Sequence, residues 1–399
     1  IAVNIETVDM KKERAGRFLL GGLQRLILSY LVDADWRDTS EFMDNKNNNR
    51  LSRKNIIEKW EEYQRKFDTY MGKFKQNTPL AVLRSKMSDF CYAFADKGNG
   101  VHRLPIPTGG GKTLASMRYA LELARKEEKK HIYYIAPYLS ILEQNADEIK
   151  RIFDDEECVL EYHSNVIVSK DNEKEDNDKE KQFSVDWSEP VILTTLVQFL
   201  NTMFSGNMKS VRKFHQLTES VIIVDEAQSI PVKCLYMFNT MVNFLSNCCH
   251  TTVIICTATQ PLFEKIDYKI LYSKPVDMIP EIQIYQDKLK RTKIINRTKH
   301  SMDADEIANM ALDILKNNLL IILNTKTAVR ALYEAIMTKT DKTVLIFQLT
   351  TYMCAAHRMN VIEKIKKLLA QGKKVICVST QLIEAGVDIS FETVIRSLA

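Results

Sequence analysis

The chain has 399 residues, 45% hydrophobic and 27% charged, enough apolar content to bury two or three globular cores. Its net charge of +5 is mild, compatible with a polyanionic partner but selecting none. No run of about 18 apolar residues occurs, which argues against a membrane-spanning helix, and the eight cysteines include no C-x-x-C pair, which excludes a spelled-out zinc ribbon or disulfide framework and fits a reducing cytoplasm.

The opening residues Ile1 and Ala2, in place of a start methionine, are expected of a chain that begins within a longer protein. Residues 11–45 carry apolar positions at helical spacing and predict a helix, ended by the polar turn "DNKNNNR". From Leu51 to about Lys75, "RKNIIEKWEEYQRKFDTYMGKF" predicts a charged amphipathic helix linking two units. Between Thr78 and Lys274 the apolar runs "GVHRLPI", "KHIYYIAP", "PVILTTLV", "SVIIVDEAQ" and "TTVIICTAT" alternate with helical stretches. That alternation predicts a doubly wound parallel sheet with its ligand crevice at the carboxyl ends of the strands. The mixed-charge stretch 169–182 interrupts it as a solvated or mobile loop without assigned chemistry. After a polar region around 285–305, "LLIILNT", "TVLIFQLT", "KKVICVSTQ" and "ETVIRS" predict a second parallel sheet, unfinished at Ala399. The expected fold class is α/β: two parallel-sheet lobes, the second incomplete, preceded by an all-helical fragment.

Three motifs carry chemistry. In "PTGGGKT", residues 107–113, glycines free the backbone N–H groups to approach an anion, Lys112 supplies positive charge, and the Thr113 hydroxyl suits a magnesium ion. The strict phosphate-loop pattern fails at its first position, where Ile106 replaces glycine. A strand before it and an amphipathic helix after it still place a helix N-terminus on the phosphates. In "IIVDEAQ" a buried strand ends in Asp225 and Glu226, adjacent carboxylates suited to holding a metal's water shell and to orienting an attacking water. In "TATQP", Thr257 and Thr259 end the next strand with hydroxyls able to hydrogen-bond those carboxylates.

Together the order "PTGGGKT", "IAP", "TT", "DEAQ", "TATQ" resembles a superfamily 2 helicase core. Its flavour in "PTGGGKTLASMRYAL", "YLSILEQNA", "TTLVQF" and "MCAAHR" resembles the helicase-nucleases of type I CRISPR interference systems, from about residue 16 to 399. The resemblance implies RecA-like lobes over 78–280 and 281–399, preceded by a C-terminal remnant of an HD nuclease domain over 1–50 and a helical linker over 51–77. It implies ATP held by Thr108, Gly109, Gly110, Gly111, Lys112 and Thr113, with Gly386 and Asp388 contributed by the second lobe. Catalysis then falls to Lys112, Asp225, Glu226 and Gln228, with Asp225 binding magnesium through water. Pro137, Thr194, Thr195, Asn324, Thr325, Thr380 and Gln381 are implied contacts to the nucleic-acid backbone. Thr257 and Thr259, with Gln228 and Gln381, are implied to couple nucleotide state to closure.

In that family a metal-dependent HD nuclease precedes the helicase, and its last metal-binding aspartate lies on a helix with an ending similar to "LVDADWRDT". Asp35 is therefore implied as a ligand of a divalent transition metal, with Asp33 the alternative. The first histidine of the chain is His102, so the histidines of that metal site are not in this sequence. The chain also stops after "FETVIRSLA", before the arginine-bearing motif that stabilises the transferring phosphoryl group. Loss of such an arginine costs about 10³ to 10⁵ in rate, so this chain is expected to bind nucleotide and hydrolyse it poorly. The implied partners are single-stranded DNA and the Cascade surveillance complex, with no membrane, in cytoplasmic antiviral defence. Two alternatives stay open: an RNA or DNA-repair helicase without nuclease, and a nucleotide-gated nucleic-acid-binding module without turnover. Gln76 is a possible adenine reader, and His357 on its helical stretch reads as structural.

Overall fold

The computed structural model describes residues 12–44, 52–74, 77–155, 159–163, 185–257, 263, 266–290, 292–340, 343–383 and 389–398. The chain divides into two compact units, residues 1–291 and 292–399.

The first unit opens with two helices, α1 (Lys12–Asp44) and α2 (Arg53–Gly72), followed by α3 (Pro79–Phe94). Among the described residues six parallel strands follow: β1 (Val101–Leu104), β2 (His131–Ala136), β3 (Val159–Tyr162), β4 (Val191–Thr195), β5 (Ser220–Val224) and β6 (Thr252–Cys256). Their spatial order is β1-β6-β5-β2-β4-β3. Helices α4 (Lys112–Lys126) and α5 (Leu139–Phe153) are two of the crossovers. The strands read as nearly unbroken apolar runs because both faces of the sheet are covered. In β2, Ile132, Tyr134 and Ala136 join one core while Tyr133 and Ile135 join the other.

Helix α2 departs from the linker expected of it. Its residues Trp60, Tyr63 and Phe67, spaced along one helical face, are fully buried in the first unit's core. The Trp60 indole donates to the Lys129 carbonyl at 2.7 Å, and the Tyr63 ring stacks on Phe153 at 4.3 Å. The helix Ile282–Leu289, assigned from sequence to the second lobe, also belongs to the first unit: Ile282, Tyr285 and Leu289 are buried in the same core. Their i, i+3, i+7 spacing forms a stripe that must be covered, and it outweighs the polar residues around it.

The second unit holds, among its described residues, four parallel strands in the order β10-β7-β9-β8: β7 (Asn318–Leu323), β8 (Leu345–Leu349), β9 (Val375–Thr380) and β10 (Thr393–Arg396). Leu319, Ile321 and Leu323 face one apolar cluster, and Leu320 and Ile322 the other, so this sheet too is covered on both sides. The mixed-charge stretch 169–182 lies outside the described residues.

Helix α1 is held to the first unit by buried polar contacts. Arg25 donates to the carbonyls of Thr202 and Ser205 at 2.8 and 2.7 Å, and Asp33 pairs with Arg212 at 3.0 Å. His215 approaches Asp33 at 3.4 Å. Burial pushes both His215 and the strand residue His131 down to about 4, so at neutral pH both are uncharged and His215 forms no ion pair with Asp33.

A pH dependence follows. The unfolded chain protonates each histidine near pH 6.5, whereas the folded one resists until about 4. The contribution of these two histidines is therefore flat above pH 6.5 and falls as pH drops from 6.5 towards 4, by roughly 3 kcal/mol per histidine over the full window. The chemical-denaturation midpoint of the first unit should be clearly lower at pH 5 than at pH 7. An unmoved midpoint would rule out two neutral buried histidines.

Candidate functional site

Strand β1 delivers the chain to a tight loop over 105–111, and α4 begins at Lys112 with no side chain capping its N-terminus. Those first-turn N–H groups have no intrahelical acceptor and carry the positive end of the helix dipole. Gly109 and Gly111 adopt φ of 77° and 83°, where a side chain is disfavoured. At Gly110 a Cβ would come within 2.6 Å of Ile106 Cγ2 and 2.9 Å of the Pro107 carbonyl oxygen. This explains the break in the strict motif: Ile106 faces the apolar core, fully buried, and the loop folds back over it. Arg84 on α3 donates twice to the Gly109 carbonyl, at 2.8 and 2.6 Å, and fixes the outer limb, where Thr108 and Gly109 are exposed.

Asp225 follows β5, which β6 and β2 flank, and its backbone N–H donates to the Ile135 carbonyl at 2.8 Å. The Lys112 ammonium lies 2.7 Å from Asp225 Oδ1 and also pairs with Glu226 Oε1. Burial opposes the lysine charge, but the two carboxylates outweigh it and raise the Lys112 pKa. Glu226 sits at φ 46°, an uncommon conformation for a residue with a long side chain, costing on the order of 1–3 kcal/mol. Its other carboxylate oxygen accepts from Gln228 Nε2, and Gln228 Oε1 accepts from Thr257 Oγ1 at 2.8 Å. A continuous chain therefore runs from the loop lysine through the acidic pair to the end of β6.

The sequence reading missed two residues at this site. Arg84 left no local signal because its partner is a backbone carbonyl 25 positions away. Tyr134 left a weak one: a tyrosine in a fully buried strand needs a partner for its hydroxyl. It finds Asp225 Oδ2 at 2.8 Å, with Thr113 Oγ1 at 3.4 Å.

The residues read as backbone contacts are less uniform. Thr194 is fully buried and its hydroxyl donates to the Tyr162 carbonyl at 2.8 Å, so it presents no free surface to a phosphate. Thr195 is spent as the N-cap of the helix Leu196–Phe204, accepting from the Gln198 N–H at 3.3 Å. Pro137 is half-buried just beyond β2. In the second unit Thr325 and Gln381 are exposed, and Thr380 is half-buried. Leu323 and Thr380 are register partners, which puts Asn324 and Thr325 beside Gln381 at neighbouring carboxyl strand ends. The Asn324 amide is exposed and donates to Ser397 Oγ at 3.3 Å, while Thr325 caps the helix Lys326–Lys339. Thr259, Gly386, Asp388 and Gln76 lie outside the described residues.

On α1, Asp35 is exposed, whereas its alternative Asp33 is buried against Arg212 and Arg37. Among the described residues no group of three or more His, Cys, Asp or Glu side chains is placed to hold a metal ion.

Two family models match this chain. That for DEAD/DEAH box helicases covers residues 94–267, and that for the C-terminal part of the CRISPR-associated nuclease/helicase Cas3 covers residues 315–399. Over these two stretches the chain is similar to the helicase part of Cas3 proteins. Curated Cas3 of Haloferax volcanii, a CRISPR-associated nuclease/helicase, is 29% identical over 177 residues, spanning 40% of this chain and 19% of that protein. The crystal structures of T. fusca Cas3 with AMPPNP and with ADP superpose with TM-scores of 0.63 each, at 15% and 14% identity. Each likeness covers 85% of this chain and 43% of the T. fusca chain, and the two parallel sheets resemble the RecA-like lobes of Cas3. The Cas3-like core described here thus spans about a fifth of the curated relative and less than half of the solved ones. Among the described residues no helix is long and apolar enough to cross a membrane.

Proposed function

We propose that the first unit is the ATP-binding lobe of a DNA-translocating helicase. The phosphates rest on the N–H groups of Gly109, Gly110, Gly111, Lys112 and Thr113. The observation that carries this reading is the convergence of Lys112 with Asp225 and Glu226 at the mouth of the glycine loop, at 2.7 Å for the Asp225 contact. Such a loop, charged lysine and acidic pair form a phosphate-binding and water-orienting set.

The ligands present fit a magnesium ion, because Thr113 and Asp225 offer hard oxygen donors and both hydrogen-bond the Tyr134 hydroxyl. When bound, magnesium would neutralise charge on the phosphates. Asp225 would hold its water shell, and Glu226 would orient the attacking water and take its proton. Lys112 must leave the carboxylates for the phosphates, and the Gln228–Thr257 bond carries the change to β6. Thr257 and Thr259 serve as coupling residues, while Gly386 and Asp388, implied nucleotide contacts, lie outside the described residues. Asn324, Thr325, Thr380 and Gln381, with Pro137, contact the strand backbone without reading bases, which suits sequence-independent movement.

In the longer protein this motor works beside a metal-dependent DNA nuclease to which Asp35 contributes a ligand. Cascade recruits it to target DNA in cytoplasmic CRISPR antiviral defence. Fluorescent-ATP titration of the chain should show binding that weakens about 10- to 100-fold in Lys112→Ala, the loss of a charge-assisted contact. ATP hydrolysis by the full-length protein should rise with single-stranded DNA, accompanied by metal-dependent cleavage. Stimulation by matched RNA without cleavage would overturn the DNA nuclease-helicase reading, and unchanged ATP affinity in Lys112→Ala would overturn the site.

A further inference from the structure

We propose that Tyr134 is a positioning residue that sets both protein ligands of the nucleotide's magnesium ion through one hydroxyl. This deepens the ATP reading above and rests on it. Tyr134 is fully buried beneath the glycine loop, with its hydroxyl 2.8 Å from Asp225 Oδ2 and 3.4 Å from Thr113 Oγ1.

The directions of these bonds follow from the groups involved. A tyrosine hydroxyl has one proton and two lone pairs, and an ionised carboxylate only accepts. The Tyr134 proton therefore goes to Asp225 Oδ2, and towards Thr113 the Tyr134 oxygen can only accept. The Thr113 proton has two acceptors on the protein side, the Tyr134 oxygen and Asn145 Oδ1 at 3.5 Å. With its proton engaged there, Thr113 keeps its lone pairs for a cation. Asp225 is ordered at the same time: Tyr134 takes Oδ2, while Oδ1 is the oxygen that meets Lys112 at 2.7 Å and the Glu226 N–H at 2.9 Å. Oδ1 is thus the oxygen left to the metal's water shell once Lys112 turns to the phosphates.

One further observation supports a built arrangement. Asn145 on α5 is buried and keeps its amide oxygen towards Thr113, although its Nδ2 has no partner among the described residues.

The test is Tyr134→Phe, which keeps the ring and removes the hydroxyl. Fluorescent-ATP affinity is measured with excess magnesium and with EDTA, alongside the magnesium concentration that half-saturates the binding enhancement. The expected result is about a 10-fold loss of affinity in magnesium, none in EDTA, and a matching rise in the half-saturating magnesium concentration. Equal losses in both buffers would show a packing role and overturn the proposal, as would no loss in either. If Tyr134→Phe does not fold, Asn145→Ala removes the other acceptor of the Thr113 proton and must show a magnesium-confined loss, or the proposal falls. A wild-type chain that binds ATP no better with magnesium than without would also overturn this proposal, whereas one that binds no ATP in either buffer would overturn the nucleotide reading itself.

Discussion

Glu226→Gln is expected to lower ATP hydrolysis by the full-length protein by about 10²- to 10⁴-fold while leaving nucleotide binding intact or tighter. The substitution is nearly isosteric, so the uncommon backbone at φ 46° and the bond from Gln228 can persist. What it removes is the capacity to take a proton from water, together with one of the two negative charges that hold Lys112. Asp225 remains 2.7 Å from the ammonium, so the lysine stays charged. A lysine released from one carboxylate meets the phosphates with less competition, hence the expected gain in affinity. Parallel measurement of fluorescent-ATP binding and steady-state hydrolysis separates the two effects. A variant that hydrolyses at the wild-type rate would remove Glu226 from the chemistry.

The second large effect is on stability. Asp33→Ala should destabilise the first unit by about 3–5 kcal/mol, the usual cost of removing one partner from a buried ion pair. Asp33 and Arg212 are 3% and 5% exposed, so the guanidinium that loses this carboxylate cannot recover full hydration, and Asp186, at 3.8 Å, is a more distant partner. The Trp36 ring, 5.1 Å from the guanidinium, offers weaker compensation. Asp35→Ala, two positions along the same helix but exposed, should stay within about 0.5 kcal/mol. Replacing the pair together, Asp33→Leu with Arg212→Met, should recover part of the loss, because the buried guanidinium goes with its carboxylate while Arg37 and Asp186, which lose a partner, keep some access to water. Chemical-denaturation midpoints of the variants decide the matter. Equal effects at Asp33 and Asp35 would refute the buried-pair account.

The contrast between these two aspartates shows how far local pattern reaches. "LVDADWRDT" places both on one helix, but which of them is buried depends on Arg212 and His215, some 180 positions downstream. The same holds at the nucleotide site. Lys112, Asp225 and Glu226 were legible because a glycine loop and a strand ending in carboxylates are local signals. Tyr134 and Arg84 were not, because each acts through an atom that only chain folding brings near. Thr194 and Thr195 show the opposite case: the resemblance implied contacts to a nucleic-acid backbone, and folding engages both hydroxyls with the protein's own backbone.

By itself the sequence determined the alternation of strands and helices, the two parallel sheets, the glycine loop and the acidic pair. These follow from hydrophobic periodicity and from residue chemistry over a few neighbouring positions. The tertiary structure alone decided that α2 and the helix Ile282–Leu289 are core elements of the first unit. It also decided that Ile106 can stand where the motif wants glycine, and that Tyr134 joins Thr113 to Asp225. Burial and hydrogen bonding between distant segments are properties of the folded chain, so no window of sequence contains them.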